Sequence, residues 1–247
     1  MKYLNSVNRL GDGIQITVGT DSIVKSFPFY EALGFTKVAK NAESYNWLLL
    51  SDGLIKLLLH QDKFTGIGYF ADDMDKRTLE MRTNGFKFLS YKLKLNQFYE
   101  VFKDKNNLHV SLIKQNVSGM FKPEGKSHSN CGKFREIRII TEDIDSSVEF
   151  WAKLGFEKIK EDKDSKKFAA VEDGLMRIAF YLPGLLKYDF AAHAITYSSK
   201  TINQKIINLK SSGINFNNEI KDSTGKIVEA VAVSPEGQTF LFTSNIE

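Results

Sequence analysis

A chain of 247 residues with 42% hydrophobic content can bury a sizeable core, and its 19 Phe and 9 Tyr argue against disorder. Its formal charge of +4, from 34 basic and 30 acidic residues, is spread without a dense basic run, which excludes a nucleic-acid-binding face. One cysteine, Cys131, excludes an intramolecular disulfide; no apolar run reaches the ~18 residues of a membrane span, and none follows Met1-Lys2 as a signal peptide would, so a cytoplasmic chain is expected.

Residues 1–12 read as a lead-in. Ile14, Ile16 and Val18 then alternate with Gln15, Thr17 and Gly19, the pattern of a half-buried strand. Asp21-Ser22 offers a helix cap, and Phe27, Tyr30, Ala32 and Leu33 give a helix that stops at Gly34. Pro28 lies inside that pattern and removes an amide donor, so the helix is expected to start near Lys25 or to kink. Strands follow at 35–40, 45–50 and 54–60, the last two joined by Ser51-Asp52-Gly53. This is a βαβββ unit.

The order recurs. A strand at 66–71, a helix at 72–84 stopped by Gly85, and strands at 86–96, 97–103 and 108–114 make a second unit. Residues 116–133, rich in Gly, Pro and Ser, read as a linker. A third unit has a strand at 134–141, a helix capped by Asp143 or Asp145 and ended by Gly155, and strands at 157–161, 167–172 and 175–182. A fourth has a strand at 191–197, a helix at 201–212 stopped by Gly213, and strands near 215–221, 227–233 and 239–243, with Pro235-Glu236-Gly237 as the last turn. The first and third units also share a motif. Phe29-Tyr30…Leu33-Gly34-Phe35 matches Phe150-Trp151…Leu154-Gly155-Phe156 at a constant offset of 121, which marks an internal duplication.

Four such units paired two by two resemble the vicinal oxygen chelate superfamily, which includes glyoxalases, bleomycin-resistance proteins and extradiol dioxygenases. The resemblance covers nearly the whole chain outside 1–12 and the linker, and is carried most strongly by the two aromatic motifs. It implies an α+β fold: four βαβββ units paired into two half-barrel domains, with helices outside mixed sheets. The domains expected are 13–115 and 134–247, separated by the linker at 116–133. Independently of the resemblance, a strand followed by a helix can pair in parallel with a later strand of its own sheet. One parity of each first strand then meets the helix, and Gln15, Thr17, Glu136 and Arg138 face the other way.

The resemblance also implies one divalent metal ion, held by His, Glu or Gln on first strands and Glu on last strands, with two positions open for a substrate's adjacent oxygens. In the family's pattern the first-strand ligand lies fourteen residues before the first aromatic, which gives Gln15 and Glu136. Aligning the fourth unit on the second through Gly213 and Gly85 gives His193 and Thr65. The remaining positions fall on Leu241 in the second half, and on Lys56 or Leu58 and Val110 or a neighbour in the first; His109 serves only if its strand shifts by one. The set is incomplete, with Glu136 and His193 as the coordinating pair.

Arg177 is expected beside Glu136 and Arg138, where a carboxylate would pair with a guanidinium in place of a metal. The resulting expectation is a small-molecule-binding protein. Its second-half cavity is lined by Glu136, Arg138, Arg177, Tyr181, His193 and Tyr197, with Gln15 at the equivalent place in the first half, and it holds a small anionic or aromatic ligand without a metal. Bleomycin-resistance proteins use the fold in that way. The alternative is a lyase, isomerase or dioxygenase whose divalent metal sits on Glu136 and His193. The expected partner is a small molecule, with no nucleic acid or membrane, and the chain a monomer or homodimer. His128 and Cys131 on the linker make a weak zinc signal, and Cys131 lacks an identifiable base for nucleophilic work.

Overall fold

The computed structural model describes residues 10–40, 46–61, 64–89, 99–115, 126–162, 167–188, 190 and 193–244. The first unit comprises β1 (Gly13–Gly19), α1 (Ile23–Ala32), β2 (Thr36–Lys40), β3 (Trp47–Ser51) and β4 (Lys56–His60). The second has β5 (Gly66–Ala71), α2 (Met74–Thr83), β6 (Tyr99–Lys103) and β7 (His109–Lys114). The third has β8 (Lys133–Ile140), α3 (Ile144–Lys153), β9 (Glu157–Glu161), β10 (Phe168–Glu172) and β11 (Arg177–Tyr181). The fourth has β12 (His193–Ser198), α4 (Ile202–Ser211), β13 (Phe216–Lys221), β14 (Ile227–Val233) and β15 (Thr239–Thr243).

The strands form two mixed sheets. One has the order β2-β3-β4-β1-β5-β7-β6, the other β13-β14-β15-β12-β8-β11-β10-β9. First strands pair in parallel with last strands, as β5 does with β7 and β12 with β15, because a helix intervenes. Hairpin partners such as β10 and β11 run antiparallel. With four helices beside these sheets the fold is α+β.

Local signals explain most boundaries. Ser22 and Asp143 cap α1 and α3, accepting from the amides of Lys25 and Ser146. The four stop glycines, Gly34, Gly85, Gly155 and Gly213, all take positive φ, between 84° and 97°. Two expectations need correction. The first helix starts at Ile23, two residues before Lys25, and carries Pro28 inside it. The carbonyl that Pro28 cannot bond belongs to Val24, an exposed residue, so water can satisfy it. The strand expected at 86–96 is not formed over 86–88, and Leu89 makes only an isolated bridge to Val101; 90–98 lie outside the described residues. Phe86 and Phe88 are instead drawn onto the Phe102 ring, at 4.8 and 6.2 Å between centroids.

Contacts gather the described residues into two compact units, one within Met1–Ile16, Phe64–Lys122 and Arg138–Ala192, the other within Thr17–Lys63, Pro123–Ile137 and His193–Glu247. In the former, Trp151 and Tyr69 are fully buried and donate to carboxylates in hairpin turns. Trp151 Nε1 reaches Asp104 Oδ2 at 3.2 Å, and the Tyr69 hydroxyl reaches Asp173 Oδ2 at 2.9 Å. In the latter, the Tyr197 hydroxyl reaches Asp52 Oδ2 at 3.0 Å, and the Tyr30 hydroxyl donates to Glu236. Each Asp also accepts two amides of its own turn on Oδ1; for Asp52 these are Leu54 N at 2.9 Å and Ile55 N at 2.8 Å. One carboxylate thus shapes a turn and anchors a buried aromatic. Burial, and next the neighbouring carboxylate, raise all three phenols well above the usual tyrosine range, so they stay protonated donors.

The linker segment 126–132 is pinned at both ends. His128 N donates to Asp52 O and Asn130 N to Leu33 O, at 2.8 and 3.0 Å. A Cβ on Gly53, whose φ is +91°, would stand 2.0 Å from Lys126 O, so only glycine permits this approach.

Candidate functional site

On β8 the apolar residues Ile137 and Ile139 are buried, and alternation sends Glu136 and Arg138 to the opposite side. The β10–β11 hairpin sorts the same way. Ala169, Val171, Ile178 and Phe180, all buried, share one side of it. Phe168 pairs with Tyr181, Ala170 with Ala179, and Glu172 with Arg177 on the other side. The Arg138 guanidinium lies 5.1 Å from the Tyr181 ring centroid, and the Phe168 and Tyr181 rings are 4.8 Å apart. Arg138 is 7% exposed, so its charge is largely withdrawn from water beside two aromatic rings. Arg138, Arg177 and Tyr181 therefore share one face, as their parity requires.

Glu136 is 2% exposed and belongs to the other compact unit, with β12 and β15. The parallel register of these strands sets Ala194 opposite Thr239 and Thr196 opposite Leu241. The inward positions are thus Ala194, Thr196 and Leu241. His193 takes the opposite parity, that of Ile195 and Tyr197. Gln15 and Glu136 each lie 19 residues before their helix-stop glycines, and 19 before Gly213 is Ala194. His193 begins β12 one residue before Ala194. The Tyr197 hydroxyl, expected to line the ligand cavity, is buried on Asp52. Among the described residues no three His, Cys, Asp or Glu side chains converge as a metal would need. Glu136 supplies a hard oxygen, but Ala194, Thr196 and Leu241 offer no carboxylate or imidazole, and Glu229, on the same face through its pairing with Thr243, accepts from the Thr243 hydroxyl, so the residues present do not fit the implied ion.

In the first sheet Gln15 lies against β5. A Cβ on Gly68 would meet Gln15 Cγ at 3.2 Å. Gly68 pairs with Ser111, which puts His109, Ser111 and Ile113 on the face of Gln15 and sends Val110 to the other. Gln15 therefore shares its face with Gly68, Ser111 and His109.

The linker pair is also accounted for. His128 Nδ1 meets Gly34 O at 2.9 Å, and Cys131 Sγ donates to Leu33 O at 3.4 Å, so both serve the end of α1. Burial pushes the Cys131 thiol up to about 12. It should react with a thiol reagent at neutral pH only on unfolding; reaction at the rate of a free thiol would contradict this. The sign for stability follows. The folded thiol holds its proton beyond the unfolded value of 9.0, so stability is full below that pH and is lost as pH rises toward 12.

No protein-family model matches the chain, and no curated protein matches it by sequence. Solved structures do match. A catechol 2,3-dioxygenase is 14% identical, with 98% of this chain and 90% of that one covered and a TM-score of 0.58. The Mn(II)-bound glyoxalase from Novosphingobium aromaticivorans is 17% identical, with 95% and 81% covered and a TM-score of 0.62. A homoprotocatechuate 2,3-dioxygenase variant from Brevibacterium fuscum is 14% identical, with 99% and 75% covered and a TM-score of 0.59. The chain has the vicinal oxygen chelate fold. No helix among the described residues is long and apolar enough to cross a membrane.

Proposed function

We propose that the chain is a small-molecule-binding protein that holds an anionic, aromatic ligand against the inner face of β10 and β11 without a metal ion. The observation that carries this reading is Arg138, buried over the Tyr181 ring with Arg177 on the same face. A guanidinium presents five donors in a planar fork suited to a carboxylate, and Tyr181 and Phe168 offer ring faces to an aromatic body. Leu241 and Ala194, where a metal would need donors, support the metal-free reading. Benzoate is the simplest probe with both features. Chelator-treated protein should bind it saturably, and Arg138→Met should weaken binding about tenfold or more. Equal affinity in the variant and the parent would contradict the reading.

A second reading is a metal-dependent lyase, isomerase or dioxygenase with Glu136 and His193 as ligands. It is favoured by the dioxygenases and the Mn(II)-bound glyoxalase among the structural neighbours. It requires one-to-one metal uptake that His193→Ala abolishes.

A further inference from the structure

The first unit holds a cavity between α1 and the strands β2 and β3. Phe27 lies four residues after Ile23 and three after Val24, so the three side chains share one face of α1. With Leu48 of β3 and Lys37 of β2 they line a cavity of about 200 Å³. Ile23 and Leu48 are buried and form its floor, whereas Val24 is 73% exposed and stands at its opening.

Four of the five lining side chains are apolar, and the fifth is a cation. Lys37 Nζ lies 4.2 Å from the Phe27 ring centroid, so the ring face holds the ammonium at the cavity and the lysine stem extends the apolar wall. Lys37 is exposed and makes no ion pair among the described residues, which leaves its donors for a ligand. A methylene takes about the 30 Å³ share of a water molecule, so the cavity accepts a chain of about six carbons. One ammonium at the rim matches one negative charge at the end of such a chain.

We propose that this cavity binds a short aliphatic monocarboxylate, with its chain against Ile23, Phe27 and Leu48 and its carboxylate on Lys37. The site shares no residue with the one proposed for the aromatic ligand, and either can fail without the other. The test is an NMR titration of the full chain with butanoate, pentanoate, hexanoate and hexan-1-ol, following the amides of Val24, Phe27 and Lys37. Hexanoate should shift these signals saturably, and affinity should rise about fourfold with each methylene from butanoate to hexanoate. Lys37→Met keeps the stem and removes the charge, so it should weaken hexanoate about threefold and leave hexan-1-ol unchanged. Val24→Asp sets a like charge at the opening, where an acidic residue suits the first turn of α1, and should weaken hexanoate more than hexan-1-ol. Both positions are exposed, so neither variant should disturb the fold. Absence of saturable shifts at these amides, no gain with chain length, or hexanoate binding unchanged by Lys37→Met would overturn the proposal. Shifts of the same amides on dilution, before any carboxylate is added, would show that a second copy covers the cavity and would overturn it too.

Discussion

Trp151→Ala should lower unfolding stability by about 4 kcal/mol in chemical denaturation, the largest loss expected from any single truncation of the aromatic motifs. The Trp151 ring is completely buried, 4.7 Å from Phe156 and 5.8 Å from Phe150 between centroids. Its removal leaves a cavity too well walled to collapse. It also strips Asp104 Oδ2 of the indole donor, while Oδ1 still holds the amides of Asn106 and Leu108, each at 2.8 Å. Trp151→Phe keeps most of the packing and loses the hydrogen bond, so it should recover more than half of the stability. A loss below about 1 kcal/mol for Trp151→Ala would mean that the ring is not the anchor its burial implies.

Asp52→Ala should cost about 4 kcal/mol by a different route. Its carboxylate is fully buried and serves three donors, Leu54 N, Ile55 N and the Tyr197 hydroxyl. Without it, two turn amides and a phenol are left in the interior. Tyr197→Phe removes only one of these bonds and leaves Asp52 with its two amides, so it should cost about 1–2 kcal/mol. The double variant should be less destabilised than the sum, because Tyr197→Phe removes one of the donors that Asp52→Ala strands. Strict additivity would show that the two side chains are not energetically coupled.

These contacts mark the limit of what the sequence makes legible. The element order could be read because helix stops, caps and alternation are local signals, as at Ser22, Asp143 and Gly155. The bond between Asp52 and Tyr197 spans 145 residues, and no local pattern announces it. A trace was present even so. Asp52 and Asp173 share the 121-residue offset of the aromatic motifs, and Tyr69 and Tyr197 share the 128-residue offset of Gly85 and Gly213. Read together, these repeats assign the same work to each pair.

The site was less legible for a reason of geometry. Arg138, Arg177 and Tyr181 lie on strands whose alternation is clear, and they share a face. His193 begins its strand, where a count that slips by one turns the side chain to the other face. Phe86 and Phe88 read as strand residues because aromatics favour sheets, but their packing on Phe102 overrides that preference.

Calorimetric titration of the chelator-treated chain with Mn(II), in parallel with its His193→Ala variant, tests the metal-free account most directly. The absence of three converging His, Cys, Asp or Glu side chains among the described residues, with Ala194, Thr196 and Leu241 on the inward face, predicts no stoichiometric heat in either protein. One-to-one binding at micromolar affinity that the variant abolishes would contradict it and establish the metal-dependent reading.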